Sequence, residues 1–324
     1  MSGGTGVGGG TEAGPGTEAG RGTEASGGPV TVRVPAKVNV QLAVGAARPD
    51  GFHDLANVFL AVSLFDEVTA TPAAALTITC EGPDADKVPL DRTNLAARAA
   101  ELLAARHGIS PDVHLHIAKD IPVAGGMAGG SADGAGALLA CDALWGLGSS
   151  REELLEICAE LGSDVPFSLV GAAALGTGRG EKLTELPVGG TFHWVFAVAD
   201  GGLSTPTVFR EFDRLAEGVE IPEPTASPVL LEALRTGDTT ALAGALANDL
   251  QAPALSLRPS LAATLAAGTE AGALAALVSG SGPTTAFLVK DAEAAETVAA
   301  ALIASGTCRT ARPATSPAPG ATVL

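Results

Sequence analysis

Apolar and polar residues alternate over the first folded part of the chain, as they do in half-buried β-strands. Residues 30–34 alternate with period two, Pro35 follows them, and residues 36–42 alternate again. We therefore expect two strands that the proline separates. Further strand-like apolar segments occupy residues 58–64, 67–71 and 76–80. Together these segments predict an antiparallel or mixed sheet.

Helical periodicity dominates the next part of the chain. The helical segments are residues 94–105, 131–147 and 154–161, and a strand over residues 113–117 separates the first two. Ser150 and Glu153 form a capping-box pattern that opens the third helix, and Gly162 ends it. This punctuation predicts a tight loop over residues 162–167.

The second half of the chain has a different layout. Strand-like runs at residues 192–199 and 284–289 flank alanine-rich helical segments, which predicts a second α+β unit. Three Gly-Thr-Glu-Ala repeats precede the first strand and offer nothing apolar to bury. The predicted organisation is a disordered leader (1–28), an N-terminal domain (29–175), a C-terminal domain (176–312) and a loose tail (313–324).

Composition narrows the class of function. The 324 residues are 46% apolar, which is enough for a sizeable core, and the formal net charge of −17 argues against a nucleic-acid partner. The four cysteines are widely spaced without metal-ligand spacing, so we expect reduced thiols in a cytoplasmic protein. No apolar run or basic start predicts a membrane span or a secretory signal. A small molecule is the expected partner.

A glycine-rich turn at residues 121–133 lies between a predicted strand and a predicted helix. Such turns bind phosphate, because successive backbone N–H groups can point inward and the helix contributes its positive end. The sequence fits neither of the two common glycine-rich nucleotide motifs, so a structural turn is the alternative. A second glycine-rich turn, residues 278–284, can close on the same ligand.

Several candidate residues also have ordinary structural interpretations. Lys37, on one strand face with Asn39 and Gln41, is a solvated charge in the simplest interpretation. Asp164 is a candidate N-cap for a short helix. His53 is a candidate turn histidine. His114 and His116 lie on one face of the predicted strand over residues 113–117. They lack a third metal ligand beside them, so they are expected on the surface.

Three segments in this order resemble the three motifs of the GHMP kinases, small-molecule kinases without a Walker loop. These are residues 35–39, 122–132 and 279–283. The resemblance covers most of residues 29–312. It implies a two-domain α+β fold, with an N-terminal domain like domain 2 of ribosomal protein S5 and a ferredoxin-like C-terminal domain. The active site is then expected in the cleft between them, with ATP and Mg²⁺ as cofactors.

Further segments resemble one branch of the family. They are Arg48-Pro49-Asp50-Gly51-Phe52-His53, residues 162–167, residues 202–205 followed by Val208-Phe209, and Asn248-Asp249-Leu250. This branch phosphorylates the C2 hydroxyl of a cytidine diphosphate ester of methylerythritol in the non-mevalonate isoprenoid pathway. Two residues depart from its pattern, Met127 where leucine is usual and Phe52 where tyrosine is usual. Oligomeric state is left open between monomer and homodimer.

The resemblance assigns roles residue by residue. Asp164 accepts the proton of the C2 hydroxyl, and Lys37 keeps Asp164 ionised and stabilises the developing charge. The implied ATP-binding residues are Pro122, Val123, Ala124, Gly125, Gly126, Met127, Ala128, Gly129, Gly130, Ser131 and Ala132, with Asn94 and Lys119 near the nucleotide. The implied substrate-binding residues are Asn39, Phe52, His53, Thr205, Phe209, Gly280, Ser281 and Gly282. No protein ligand to a metal is predicted.

The implied cytosine pocket and basic pocket can be placed in the same way. Phe52 and Phe209 occupy the positions of two aromatic residues that clamp cytosine, and His53 is expected to bond the base edge. A basic pocket in an acidic body would attract both polyanions, and the candidates for it are Lys37, Arg48, Lys119, Arg179 and Lys182.

Two rival functions stay open at this point. One is another GHMP kinase, such as a mevalonate or homoserine kinase, which shares the glycine loops. The other is a nucleotide-binding regulator that kept the fold without catalysis. The segment around Phe52 and His53 argues against the first, and the presence of both Lys37 and Asp164 argues against the second.

Overall fold

The computed structural model describes Met1, residues 3–6 and residues 28–324. Most of the predicted leader, residue 2 and residues 7–27, lies outside these described residues. The strands are β1 (Val30–Ala47), β2 (His53–Pro72), β3 (Thr77–Glu81), β4 (Val113–Ala118), β5 (Ala173–Thr177), β6 (Lys182–Glu185), β7 (Phe192–Val198), β8 (Ala247–Asn248), β9 (Ala275–Val278), β10 (Thr285–Val289), β11 (Thr310–Ser316) and β12 (Thr322–Val323).

The helices separate or follow these strands. They are α1 (Leu95–His107), α2 (Gly129–Trp145), α3 (Arg151–Leu161), α4 (Val165–Val170), α5 (Thr205–Leu215), α6 (Pro228–Thr236), α7 (Thr239–Ala245), α8 (Gln251–Leu257), α9 (Leu261–Glu270) and α10 (Ala292–Ser305). A short 3₁₀ turn covers Ala85–Lys87. The predicted capping box is confirmed, because the Ser150 hydroxyl accepts a hydrogen bond from the N–H of Glu153 at 3.2 Å. Within the described residues, no helix has the length and apolar character that crossing a membrane requires.

The first sheet has eight strands, and the long antiparallel pair of β1 and β2 forms its centre. Pro35 does not divide β1 into two strands, which corrects the sequence prediction. The pairing shifts register between Pro35 and Ala36 instead, and a proline is tolerated at such a bulge because the irregular position needs no N–H for the ladder. Lys37, Asn39 and Gln41 are all buried in this strand, so the solvated interpretation of Lys37 is wrong.

The helix α2 packs closely behind this sheet. A Cβ at Gly136 would lie 2.8 Å from a methyl group of Val34 and 2.9 Å from one of Val68. Only a glycine therefore allows this approach, and the small residues around it make the rest of the contact possible. The close packing fixes the N-terminal end of α2 at the edge of the sheet, beside the glycine-rich turn.

The second sheet has the order β11-β7-β10-β9 with all neighbours antiparallel, which is the arrangement of a ferredoxin-like domain. Its strand β7 is almost wholly buried because both of its faces are covered. Trp194 and Phe196 face the core that is shared with the first sheet, while Val195 and Ala197 face α10 and its neighbours. The predicted α+β fold is confirmed, and the second half of the chain has the predicted ferredoxin-like arrangement.

Two predicted boundaries need correction. The predicted domain boundary at residue 175 falls inside β5, and β6 pairs with β5, so the first sheet continues through Glu185. The predicted loose tail is also ordered. Its first part belongs to β11, and Val323 in β12 pairs with Val32 in β1. Backbone pairing orders this proline-rich segment, and side-chain periodicity did not reveal it.

Candidate active site

A cavity of about 640 Å³ opens where loops of the two domains meet. Sixteen of the predicted site residues line it: Lys37, Asn39, Phe52, His53, Ala124, Gly125, Gly126, Ala128, Gly129, Gly130, Ser131, Asp164, Thr205, Phe209, Gly280 and Ser281. Segments that are more than 240 residues apart in sequence thus form one wall. The prediction that the two glycine-rich turns close on a common space agrees with this geometry.

The remaining predicted site residues lie elsewhere. Pro122, Met127, Ala132 and Gly282 are buried in the protein and do not line the large cavity. They form the buried side of the two glycine-rich turns. A smaller neighbouring cavity of about 220 Å³ is lined by the other three, Asn94, Lys119 and Val123, and it shares Ala124 and Gly130 with the large cavity.

The glycine-rich turn ends in an open helix N-terminus. Ala124, Gly126 and Ala128 have positive φ angles of 52°, 76° and 61°, so the backbone turns sharply three times. Ala128 occupies the N-cap position of α2 and provides no side-chain cap. The first N–H groups of α2 therefore have no capping side chain and are available to an anion at the positive end of the helix.

Backbone contacts fix the two turns against each other and against β1. The N–H of Lys37 donates to the carbonyl of Met127 at 3.2 Å, and the Ser279 hydroxyl donates to the carbonyl of Gly126 at 3.1 Å. A Cβ at Gly126 would lie 2.2 Å from the carbonyl oxygen of Ser279, so no other residue fits this position. The three motif segments thus form one rigid cradle.

Lys37 and Asp164 meet at the cavity wall. The Nζ of Lys37 lies 3.6 Å from Oδ2 of Asp164 and donates to Oδ1 of Asn39 at 2.6 Å. Asn39 is held in turn, because its Nδ2 donates to Oδ1 of Asn57 at 2.7 Å. The Lys37 side chain is 6% exposed and that of Asp164 is 33% exposed. The lysine is thus held by a buried hydrogen-bond partner, while the carboxylate faces the open cavity.

The electrostatics of this pair depend on burial. Desolvation lowers the pKa of the Lys37 ammonium from its ordinary value, and the Asp164 carboxylate opposes that shift through its charge and its contact. Asp164 occupies the N-cap position of α4, but its side chain caps no helix N–H. The capping interpretation of this carboxylate is therefore wrong.

The second glycine-rich turn covers the pair from the other domain. A Cβ at Gly280, whose φ is 55°, would lie 3.1 Å from Nζ of Lys37 and 3.0 Å from Oδ1 of Asn39. The hydroxyl groups of Thr205 and Ser281 lie 2.9 Å apart on the same side of the cavity. The C-terminal domain thus contributes backbone and hydroxyl groups next to the lysine.

Aromatic side chains from both domains line another part of the cavity. Phe52 is 48% exposed, and the Arg179 guanidinium lies 5.0 Å from the centre of its ring. Phe209, on α5, stacks on the ring of His53 with centroids 5.2 Å apart. Two aromatic rings, one from each domain, are therefore available to a flat ligand.

His53 is placed differently from its expected role at a base edge. Its side chain is 5% exposed, Nδ1 lies 2.9 Å from the carbonyl oxygen of Gly45, and Nε2 lies 3.4 Å from Oδ1 of Asp213. Its ring also meets Phe212 edge-on at 5.8 Å. Both ring nitrogens face protein groups, so the histidine ring holds α5 against the first domain, and its contacts position Phe209.

A cluster that the sequence analysis missed lies behind the glycine-rich turn. Lys119 contacts Asp66 and Asp133, the latter at 2.8 Å, and all three side chains are at most 3% exposed. Oδ1 of Asp66 also accepts the N–H groups of Asp120 and Ile121 at 2.7 and 2.8 Å. The cluster thereby ties the segment that enters the turn to the helix that leaves it.

The charged groups of this cluster shift one another's pKa values. Burial raises the pKa of the Asp133 carboxyl to about 7, an effect that Asp66 reinforces and Lys119 opposes. Burial alone would lower the pKa of Lys119, but the two carboxylates together raise it. Lys119 therefore keeps its proton and has two carboxylates beside it. In the sequence, this cluster could have been indicated by Asp133, a charged residue within a largely apolar helix.

The predicted basic pocket is smaller than expected. Arg48 is paired with Asp50 and Asp54, and Lys119 is paired as described above. Lys182 lies on an exposed strand outside the cavity. Of the five predicted basic residues only Lys37 and Arg179 line the cavity, and Arg210, which the sequence analysis did not name, joins them.

Comparisons with known proteins agree with this architecture. The family model described as "GHMP kinases N terminal domain" matches residues 94–172, and the one described as "GHMP kinases C terminal" matches residues 230–307. A 4-diphosphocytidyl-2-C-methyl-D-erythritol kinase of Streptomyces avermitilis is 80% identical over 295 residues, which are 91% of this chain and 99% of that protein. The kinase of the same name from Mycobacterium bovis is 54% identical over 91% of this chain and 93% of that protein.

Solved structures show the same fold. A crystal structure of 4-(cytidine 5'-diphospho)-2C-methyl-D-erythritol kinase superimposes with a TM-score of 0.72 at 32% identity, over 88% of this chain and 98% of that one. A homoserine kinase from Cytophaga hutchinsonii gives a TM-score of 0.72 at 19% identity, over 92% of this chain and 98% of that one, and this likeness concerns the fold alone. The chain belongs to the GHMP kinases, and within them to the family of the 4-diphosphocytidyl-2-C-methyl-D-erythritol kinases.

Proposed function

We propose that the chain transfers the γ-phosphoryl group of ATP to the C2 hydroxyl of 4-diphosphocytidyl-2-C-methyl-D-erythritol, in the non-mevalonate pathway of isoprenoid biosynthesis. The observation that supports this most is the pair of Lys37 and Asp164, 3.6 Å apart, in a cavity that a glycine cradle and two aromatic rings also line. Phosphoryl transfer needs positioning, charge neutralisation and a proton acceptor, and the cavity contains a group for each.

ATP fits the side of the cavity that α2 and the glycine-rich turn form. The uncapped N-terminus of α2 offers N–H groups to the phosphates, and Gly129 and Gly130 keep the approach free of side chains. The smaller cavity beside it, with Asn94 at its wall, is the place that we assign to the adenine. Lys119 also lines this smaller cavity, and its two carboxylate partners hold it in place.

Mg²⁺ would accompany ATP and neutralise phosphate charge. Such an ion keeps several water ligands and uses few protein oxygens. The cavity wall offers several hard oxygen donors, and the Ser131 hydroxyl and the Asp164 carboxylate are among them. These residues fit a metal that is held mainly by the nucleotide.

Asp164 is the proton acceptor of the proposed reaction. Its carboxylate is partly exposed to the cavity, caps no helix N–H and lies 3.6 Å from the Lys37 ammonium group. As the acceptor hydroxyl attacks, its proton passes to Asp164, while Lys37 stabilises the negative charge that develops on the oxygens. Asn39 and Gly280 keep the lysine in place.

The cytidine end of the acceptor fits the aromatic part of the cavity. Phe52 provides an exposed ring face from the first domain and Phe209 one from the second, and stacking on the ring face needs no tyrosine hydroxyl. The replacement of the usual tyrosine by Phe52 is therefore compatible with a cytosine ligand.

We further propose a cytoplasmic enzyme without a nucleic-acid partner that acts as a monomer or homodimer. The formal net charge of −17 supports the absence of a nucleic-acid partner, because nucleic-acid-binding domains are usually basic. The four cysteines, all described by the structure, are unpaired thiols, as is usual in a reducing compartment.

A coupled assay of ADP release tests the proposed function. The purified protein receives ATP, Mg²⁺ and one of three acceptors: the cytidine diphosphate ester of methylerythritol, mevalonate or homoserine. We expect turnover with the first acceptor and at most background rates with the others. Preference for mevalonate or homoserine would support another GHMP kinase, and binding of ATP without turnover on any acceptor would support a regulator.

A further inference from the structure

Arg179 is a cation of the cavity that no catalytic step described above uses. It lies in the turn between β5 and β6, lines the cavity and places its guanidinium over the ring of Phe52. In the part of the chain that the structure describes, its guanidinium forms no ion pair with a carboxylate, unlike that of Arg48. An arginine without a carboxylate partner in a cavity that receives polyanions is suited to bind one of them.

The turn that carries Arg179 is held firmly. The glycines on either side, Gly178 and Gly180, have φ angles of 68° and 105°, which a side chain would strain. The N–H of Arg179 donates to the Glu181 carboxylate at 2.7 Å, and the N–H of Leu55 donates to the carbonyl of Gly178 at 2.8 Å. The second bond ties the turn to the strand that follows Phe52, so the guanidinium stays beside the ring.

We propose that Arg179 binds the diphosphate of the acceptor and so determines its preference for a nucleoside diphosphate ester over a neutral nucleoside. This inference rests on the proposed function. An acceptor with cytosine on Phe52 and its hydroxyl at Asp164 must place its diphosphate between these two residues. Arg179 contacts Phe52 and lines the same cavity, and its planar guanidinium can donate two parallel hydrogen bonds to phosphate oxygens.

A structural role is the competing explanation. The Arg179 guanidinium could do no more than support the ring of Phe52 by a cation–π contact, which is worth little at an exposed ring. The two roles differ in which ligands they affect. A support for Phe52 affects every ligand that stacks on the ring, whereas a diphosphate contact affects only ligands that carry the diphosphate.

The experiment measures the affinities of CDP and cytidine for the full chain, with the ATP site filled by a non-hydrolysable ATP analogue. The variants are Arg179→Gln, Arg179→Lys and the control Lys182→Gln, which makes the same charge change on the exposed strand of the same hairpin. We expect Arg179→Gln to weaken CDP by about ten- to a hundredfold, the usual effect of losing hydrogen bonds to a charged group, and cytidine by less than about threefold. The lysine variant should keep part of the CDP affinity, and the control should bind both ligands like the wild type.

Equal losses for CDP and cytidine in Arg179→Gln would overturn the proposal in favour of a support for Phe52, and so would unchanged CDP affinity. Thermal unfolding of each variant shows whether the fold is kept, and the lysine variant gives a second test if the glutamine variant does not fold. The wild-type kinase assay separates failure of this inference from failure of the proposed function. If the wild type phosphorylates the ester but Arg179→Gln binds CDP normally, only this inference fails. If the wild type neither binds CDP nor phosphorylates the ester, the proposed function fails as well.

Discussion

Two buried lysines flank the glycine-rich turn, and their surroundings differ. Lys119 lies behind the turn between two carboxylates, and the three side chains are at most 3% exposed. Lys37 lies in front of the turn with one carboxylate at 3.6 Å, and that carboxylate is 33% exposed. Burial and partners leave the pKa of Lys119 raised and that of Lys37 lowered.

The difference shows how one residue type serves two purposes. A lysine that is enclosed by carboxylates has its charge compensated permanently, so it stabilises the fold and the turn beside it. A lysine with a single partner at an open cavity has charge to offer to a ligand, at the cost of desolvation. We therefore assign Lys119 to structure and Lys37 to chemistry, and each of the following variants tests that assignment.

The largest effect is expected for Lys119→Met. The substitution leaves Asp66 and Asp133 buried without their cation, and breaking a buried ion pair in this way costs about 3–5 kcal/mol of unfolding free energy. Urea unfolding measures it, with Lys182→Gln as an exposed control that should change little. A loss below about 1 kcal/mol would contradict the structural role.

A different result is expected for Lys37→Met. Methionine fills the same buried space without a charge to desolvate, but Oδ1 of Asn39 loses its donor, so we expect the unfolding free energy to fall by about 1–3 kcal/mol, less than in Lys119→Met. Loss of the ammonium should lower kcat by about 10²–10³, as removal of a single group that stabilises developing charge does. Steady-state kinetics and urea unfolding on the same preparation test both parts. A strong loss of stability together with normal kcat would reverse the roles of the two lysines.

Substitutions in the aromatic part of the cavity should raise the KM for the cytidine substrate. Base stacking on an aromatic ring is worth about 1–3 kcal/mol, so Phe52→Ala or Phe209→Ala should raise the KM for the cytidine substrate by roughly ten- to a hundredfold. The KM for ATP should barely change, which makes ATP the internal control. If both variants leave the cytidine KM unchanged or weaken ATP instead, the nucleobase pocket is misplaced.

The smallest effect is a change in pH dependence around Asp133. Its pKa is raised from 3.8 to about 7, so between these values the folded chain retains a proton that the unfolded chain has lost. Stability therefore falls as pH rises through this window. Asp133→Asn should flatten the curve by up to about 1.4 kcal/mol per pH unit. Urea unfolding between pH 4 and about 7.5 measures it, and the same substitution at the exposed Asp86 should leave the slope as it is. An unchanged slope in Asp133→Asn would show that this carboxyl does not share the proton.

The sequence predicted more of the cavity-facing region than of the region behind it. The helices and strands with clear periodicity, such as α3 with its Ser150 cap and β4, were found close to their observed bounds. The family motifs identified Lys37 and Asp164 as candidate catalytic residues, and the structure places them beside each other. Motifs of this kind mark the residues that face a ligand.

The region behind the turn could not be predicted because its partners are distant in sequence. Asp66 and Lys119 meet only when β2 pairs with β4, and neither residue has a local pattern that indicates the other. The order of β11 and β12 likewise depends on backbone pairing with distant strands. Pro35 is a further example, because the local sequence predicts a strand end there. The strand instead continues through a register shift in its pairing with β2.

The most direct test of the account is the kcat of Asp164→Asn, measured together with its urea unfolding curve. Asparagine is nearly isosteric but can neither accept the proton nor pair with Lys37. We predict that kcat falls by roughly 10²–10⁴, the usual range for positioned acid–base catalysis, while the unfolding midpoint and the KM values change little. A kcat within a few-fold of the wild type would remove Asp164 from the mechanism and contradict the assignment of chemistry to the cavity-facing pair.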